Sequence, residues 1–182
     1  MFSHIHPDNY PEQLSNKQRD MAELFKDFNL PEADLYPSTE LNYRQRAEFR
    51  LWHEGEDLYY IMFDSKTKQK FRVDEFPVAS ILINKAMKAL LLAIKNQKEL
   101  RYKLFQVDFL STLSGELLIS LLYHKPLEDN WQSEAEKLKQ HLSEIAPVDI
   151  IGRAKKQKVV VDKDYVMENL NVGDKTFTYQ QV

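Results

Sequence analysis

The chain contains no cysteine, so it can form no disulfide, hold no metal through thiolate and use no cysteine as a nucleophile. Its four glycines, Gly55, Gly115, Gly152 and Gly173, are isolated; neither a dinucleotide fingerprint nor a P-loop can be written around them. No His-x-x-x-His or HExxH pair occurs, so a zinc site would have to be assembled from scattered residues, and no metal is expected. His4, His6 and Asp8 could be taken for a metal-binding tract, but a frayed terminus is the plainer reading. No cationic segment followed by an apolar run opens the sequence. The longest greasy stretch, residues 81–94, is interrupted by Asn84, Lys85 and Lys88 and is too short and polar to span a bilayer. A cytoplasmic location without membrane attachment is the expectation.

What is present reads as globular. A chain of 182 residues with 43% hydrophobic and 29% charged residues can bury a sizeable core in one large domain or a domain with an appendage. The net charge of -3 is unevenly spread: residues 1–40 hold three Lys/Arg against eight Asp/Glu, leaving 22 against 20 for the rest. The body is therefore slightly basic behind an acidic N-terminal segment.

The most informative stretch is Tyr43–His53. Read with a period of two, it places Tyr43, Gln45, Ala47, Phe49 and Leu51 on one face and Arg44, Arg46, Glu48, Arg50 and Trp52 on the other. Alternate residues of a strand lie about 7 Å apart, close to the phosphate spacing of a single nucleic-acid strand, so Arg forks on that face can follow a backbone. Trp52, closing the row, could stack on a base. The alternative is a solvated face on which Glu48 pairs with Arg46 or Arg50.

Around it the pattern predicts an amphipathic helix over residues 11–29, a linker to residue 40, and an antiparallel meander of strands at 43–53, 58–63 and 70–73. A helix from Pro77 to about Lys95 should cover the sheet, with Lys85, Lys88 and Lys95 solvated. Strands at 104–110 and 117–124, a helix at 129–145 and strands at 148–151, 159–161 and 175–182 complete the reading. The expected fold is thus α+β: a mainly antiparallel sheet covered by two helices, residues 41–182, behind an N-terminal acidic helix and linker, residues 1–40. His124 ends a nearly continuous apolar strand, where a sheet edge can meet a ligand. After Gly152, Arg153, Lys155, Lys156 and Lys158 suggest either a turn that approaches phosphates closely or a solubilising hairpin.

These blocks, in order, resemble the N-terminal half of tRNA (uracil-5-)-methyltransferases: Tyr43–His53, Phe63-Asp64, Arg72–Pro77, Lys103–Asp108, Ser120–Lys125 and Ile151–Ala154. The resemblance runs from about Tyr10 to Val182. It implies a protein that binds the tRNA T-arm and methylates C5 of the T-loop uridine at position 54 with S-adenosylmethionine. It also implies that the nucleophilic Cys, the base and the cofactor pocket lie in a doubly wound domain absent here. No cofactor is then expected in this chain, which should bind RNA and be inactive alone, with the surface left by the missing half open to non-specific self-association. Arg50 matches a family Arg at the RNA surface, and Phe105 and His124 match residues that stack on T-loop bases. Arg44, Arg46, Arg153, Lys155 and Lys156 are assigned to phosphates on charge. Two rival readings are a protein-interaction module, using the acidic helix and Tyr59/Tyr60, and a small hydrolase using His53 or His124.

Overall fold

A computed structural model describes Phe2 and residues 5–182; His4 lies outside the described residues. Its centre is a seven-stranded sheet in the order β3-β2-β1-β4-β5-β6-β7. The strands are β1 (Arg46–Glu54), β2 (Asp57–Phe63), β3 (Lys70–Val73), β4 (Leu104–Ser111), β5 (Leu117–Tyr123), β6 (Val148–Ala154) and β7 (Gln157–Val160). Every pairing is antiparallel except β5 with β6. The sheet is therefore mixed: a parallel pair needs a crossover, and α4 (Trp131–Leu142) supplies it.

One face is the core. Ala47, Phe49 and Leu51 of β1 are buried there with Val107 and Phe109 of β4 and Ile119 and Leu121 of β5. Against them pack α2 (Ile81–Ile94), through Ile83, Met87 and Leu90, and α4, through Trp131, Ala135 and Leu138, with the short α3 (Lys98–Arg101) beside them. The alternation of apolar and charged residues along β1 decides which face this is. Helix α2 starts later than its sequence suggests. Ser80 is the N-cap, accepting from the Ile83 N–H at 3.1 Å, and Pro77 lies in the preceding turn, its carbonyl taking the Asn42 N–H.

Gly152 sits inside β6 rather than in the basic turn. A Cβ there would lie 2.5 Å from the Trp131 ring, so its missing side chain makes room for the crossover helix. The turn itself is Lys155-Lys156, with Lys156 at φ +61°.

A second sheet was only half anticipated. β8 (Val166–Val172) pairs with β9 (Lys175–Gln181) as a hairpin, and Val166 packs on Leu118, Ile151 and Leu110, on the sheet face away from the helices. Its root is fixed by reciprocal backbone contacts. The Leu113 and Ser114 N–H groups donate to Glu168 at 2.9 and 3.1 Å, and the Met167 N–H donates to Glu116 at 2.8 Å. Polar Glu168, Asn169 and Asn171 hide the strand periodicity of β8 in the sequence.

The N-terminal helix α1 (Tyr10–Leu24) buries no residue. Leu24 and Phe28, two of its and its following turn's apolar residues, stay largely exposed. Ahead of it, Phe2 packs on Phe71 and Phe76, with ring centroids 5.7 and 5.3 Å away. None of the described helices is long and apolar enough to cross a membrane.

Candidate nucleic-acid interface

The face opposite the helices is uncovered over much of its area. Strand pairing sets one continuous row of side-chain positions across it: Arg72, Ile61, Arg50, Gln106, Leu122, Arg153 and Lys158, one from each strand. The outer two cations are neutralised locally, Arg72 by Asp57 and Asp74 and Lys158 by Asp164. Arg50 and Arg153 have no carboxylate in ion-pair range among the described residues. They are the two cations of the row left without an ion pair among the described residues.

At the end of the sheet where β1 and β5 stop and β4 begins, the backbone does something periodicity alone does not show. Leu104 faces Tyr123 and Gln106 faces Leu122, leaving Phe105 as an extra residue in β4. This bulge turns two consecutive side chains, Phe105 and Gln106, away from the core while Leu104 and Val107 remain fully buried. Phe105 stacks on His124 with ring centroids 3.8 Å apart and planes 13° from parallel. The Arg50 guanidinium lies 5.3 Å from the Phe105 centroid. Arginine, phenyl ring and imidazole thus form one assembly from three strands. The His124 N–H, bonded to the Lys103 carbonyl at 3.0 Å, holds the imidazole beside the bulge.

Lys155 and Lys156 project from the β6–β7 turn at this same end of the sheet, exposed and without ion pairs among the described residues. Arg46 stands farther down β1, on the open face, paired with Glu48 at 3.3 Å. Arg44 does not join the row. Its backbone bridges Ala79 before the strand begins, and its guanidinium lies 5.8 Å from Phe76, whose ring packs edge-on to core residue Phe49. Trp52 has the expected face, but Lys70 Nζ sits 3.1 Å from its ring centroid and occupies that side of the ring. Lys70, Arg72, Gln106 and Lys158 are further polar members of this face that the sequence did not single out as a group; only the register assembles them.

The rival readings meet specific obstacles. Tyr60 is 1% exposed and its hydroxyl donates to the Met87 carbonyl, so it belongs to the core and not to a contact surface. His53 Nε2 is engaged with the Leu104 carbonyl at 2.7 Å, and His124 with Phe105. Among the described residues no histidine is paired with a carboxylate, and no group of three His, Asp or Glu side chains is placed to hold a metal ion.

Comparison with known proteins bears on what this face is for. A family model described as tRNA (Uracil-5-)-methyltransferase matches residues 9–182. The tRNA/tmRNA (uracil-C(5))-methyltransferase of Colwellia psychrerythraea is 82% identical over all of this chain and 50% of its own length. The protein of the same name from Photobacterium profundum is 55% identical over 95% of this chain and 47% of its own. The crystal structure of Pyrococcus abyssi tRNA (uracil-54, C5)-methyltransferase in complex with S-adenosyl-L-homocysteine superposes with a TM-score of 0.56. It is 17% identical and covers 93% of this chain and 42% of the other, a likeness of fold. The chain spans about half the length of the curated relatives it matches. On the match across nearly its whole length, the chain belongs to the tRNA (uracil-5-)-methyltransferase family.

Proposed function

We propose that this chain is the tRNA T-arm-binding part of an S-adenosylmethionine-dependent tRNA (uracil-5-)-methyltransferase acting on the T-loop uridine, and that it binds RNA without catalysing methyl transfer by itself. The observation that carries the reading is the convergence of Arg50, Phe105 and His124 on the open face, with Arg153, Lys155 and Lys156 beside them. An extruded or splayed base needs a flat surface to replace the stacking it loses. His124 is exposed and already aligned on Phe105, so its outer face offers such a surface with little further ordering. Stacking on a side chain of this kind contributes about 1–3 kcal/mol per base, comparable to the cost of unstacking one. Arg50, Lys155 and Lys156 then neutralise the flanking backbone phosphates.

The restriction to binding follows from chemistry. Uracil C5 becomes nucleophilic enough to accept a methyl group once a thiolate adds to C6, and this chain has no cysteine. Nor do its glycines cradle a nucleotide cofactor: Gly55, Gly115 and Gly173 serve strand-to-strand turns, and Gly152 is filled by Trp131. The described residues do not fit S-adenosylmethionine, whose role in the family's reaction is to supply the methyl group.

Fluorescence anisotropy with a labelled T-arm hairpin tests the reading. Binding at low salt that weakens steeply as salt rises is expected; no binding at low salt would reject it, and methyl transfer by the purified chain would reject the restriction to binding.

A further inference from the structure

On the open face lies a cleft of about 220 Å³ whose lining includes none of Arg50, Phe105 and His124. Its polar lining is Arg46 of β1, Asp108 of β4, Ser120 directly across from Asp108 on β5, Arg153 of β6 and Asp164 beyond β7. Leu110 and Leu118 supply apolar surface at its lower end. The Gln106 amide donates to Asp108 Oδ1 at 2.8 Å, which fixes the carboxylate and leaves Oδ2 without a donor among the described residues. Ser120 is 9% exposed, and its hydroxyl makes no hydrogen bond to a described residue. The cleft thus presents a held carboxylate, a free hydroxyl and the Arg153 guanidinium over a greasy floor, with Arg46 and Asp164 also in its lining.

We propose that this cleft is a base-reading subsite for a single-stranded guanine, Asp108 accepting from its N1–H and 2-amino group and Arg153 donating to O6 and N7. The inference rests on the RNA-binding reading and deepens it. Guanine alone among the four bases joins an edge of two adjacent donors to an edge of two adjacent acceptors, matching a carboxylate and an arginine fork in turn. Uracil offers the carboxylate one N–H flanked by two carbonyl oxygens, and adenine and cytosine one amino group each, so none of them presents two adjacent donors. Asp108 is half-buried and faces Glu48 across the β1–β4 ladder, with Arg46 and Arg153 on its other sides. Burial first, opposed by the Gln106 hydrogen bond and reinforced by Glu48, raises its pKa, so an ionised Asp108 gains from a donor-rich ligand. Phe105 lies three residues before Asp108 on the same strand, so the stack and the cleft can engage different nucleotides of one loop.

The test uses labelled uridine heptamers that are unsubstituted or carry one central guanosine, adenosine or cytidine, titrated at low salt. The guanosine heptamer is expected to bind about tenfold more tightly than the others, the scale of one bidentate base contact. Asp108→Asn keeps an oxygen for Gln106 but replaces the free acceptor with a donor, and should bring the guanosine-to-uridine ratio near one. Ser120→Val, which removes the hydroxyl facing Asp108 and adds bulk to the cleft, should do the same. Equal affinity for all four heptamers, or a ratio that survives both variants in folded protein, overturns the guanine subsite and leaves the stacking surface standing. Failure of every heptamer and of the T-arm hairpin to bind overturns both.

Discussion

Phe105, the extra residue in β4, and His124, the residue that follows β5, lie face to face at 3.8 Å. Each ring depends on the other for its orientation, so their contributions to RNA binding should not be independent. Phe105→Ala and His124→Ala are each expected to weaken T-arm hairpin binding by about tenfold or more, the lower part of the range for losing one stacked base. The double variant should lose less than the product of the two. Anisotropy titrations of the three variants measure this, with thermal melts close to the parent because neither side chain belongs to the helix-covered core.

The cationic row makes a prediction about salt. Arg50→Ala should lower the slope of log affinity against log salt by roughly one, as expected for one lost phosphate contact. Arg44→Ala should leave the slope unaltered, since its guanidinium is laid against Phe76 at the margin of the core. Titrations at four or five salt concentrations separate the two behaviours.

Gly152→Ala brings a methyl group to within 2.5 Å of the Trp131 ring. Trp131 is fully buried and cannot retreat without moving α4, so the substitution should destabilise the fold by about 1–3 kcal/mol. Urea denaturation followed by tryptophan emission reads the loss directly. A neutral outcome would show that the crossover helix yields more easily than its packing indicates.

Asp108 supplies a pH dependence. Its folded pKa is raised, chiefly by burial, above the ordinary aspartate value. A carboxyl group of that kind contributes most favourably below its unfolded pKa, and that contribution is lost as pH rises through the folded one. The Asp108→Asn variant has no such loss. Its stability relative to the parent should therefore improve on going from pH 3 to pH 7, as read from urea midpoints of the two proteins side by side.

Much of the scaffold is written in the order of residues. The alternation of Ala47, Phe49 and Leu51 with Arg46, Glu48 and Arg50 assigns both faces of β1 correctly, and the apolar run of β5 marks a central strand. Arg44 breaks the same parity because the ladder starts at Arg46, and before it the chain runs alongside Ala79 instead. Phe105 has the parity of core residues Val107 and Phe109, and its outward turn comes from a bulge, which depends on how two strands pair and which neither strand states alone. Gly152 looked like part of a flexible basic turn; only the position of Trp131, over twenty residues earlier and in a helix, explains it. The neutralisation of Arg72 and Lys158, and hence the prominence of Arg50 and Arg153, likewise depends on tertiary neighbours.

Leu104 and Val107 point inward on either side of the outward pair Phe105 and Gln106. Excise Phe105 and strict alternation returns: Leu104 inward, Gln106 outward, Val107 inward, with every interior side chain where it was. The aromatic is therefore a graft on a ladder already complete without it. Selection could add, exchange or discard that ring while leaving the architecture beneath it untouched.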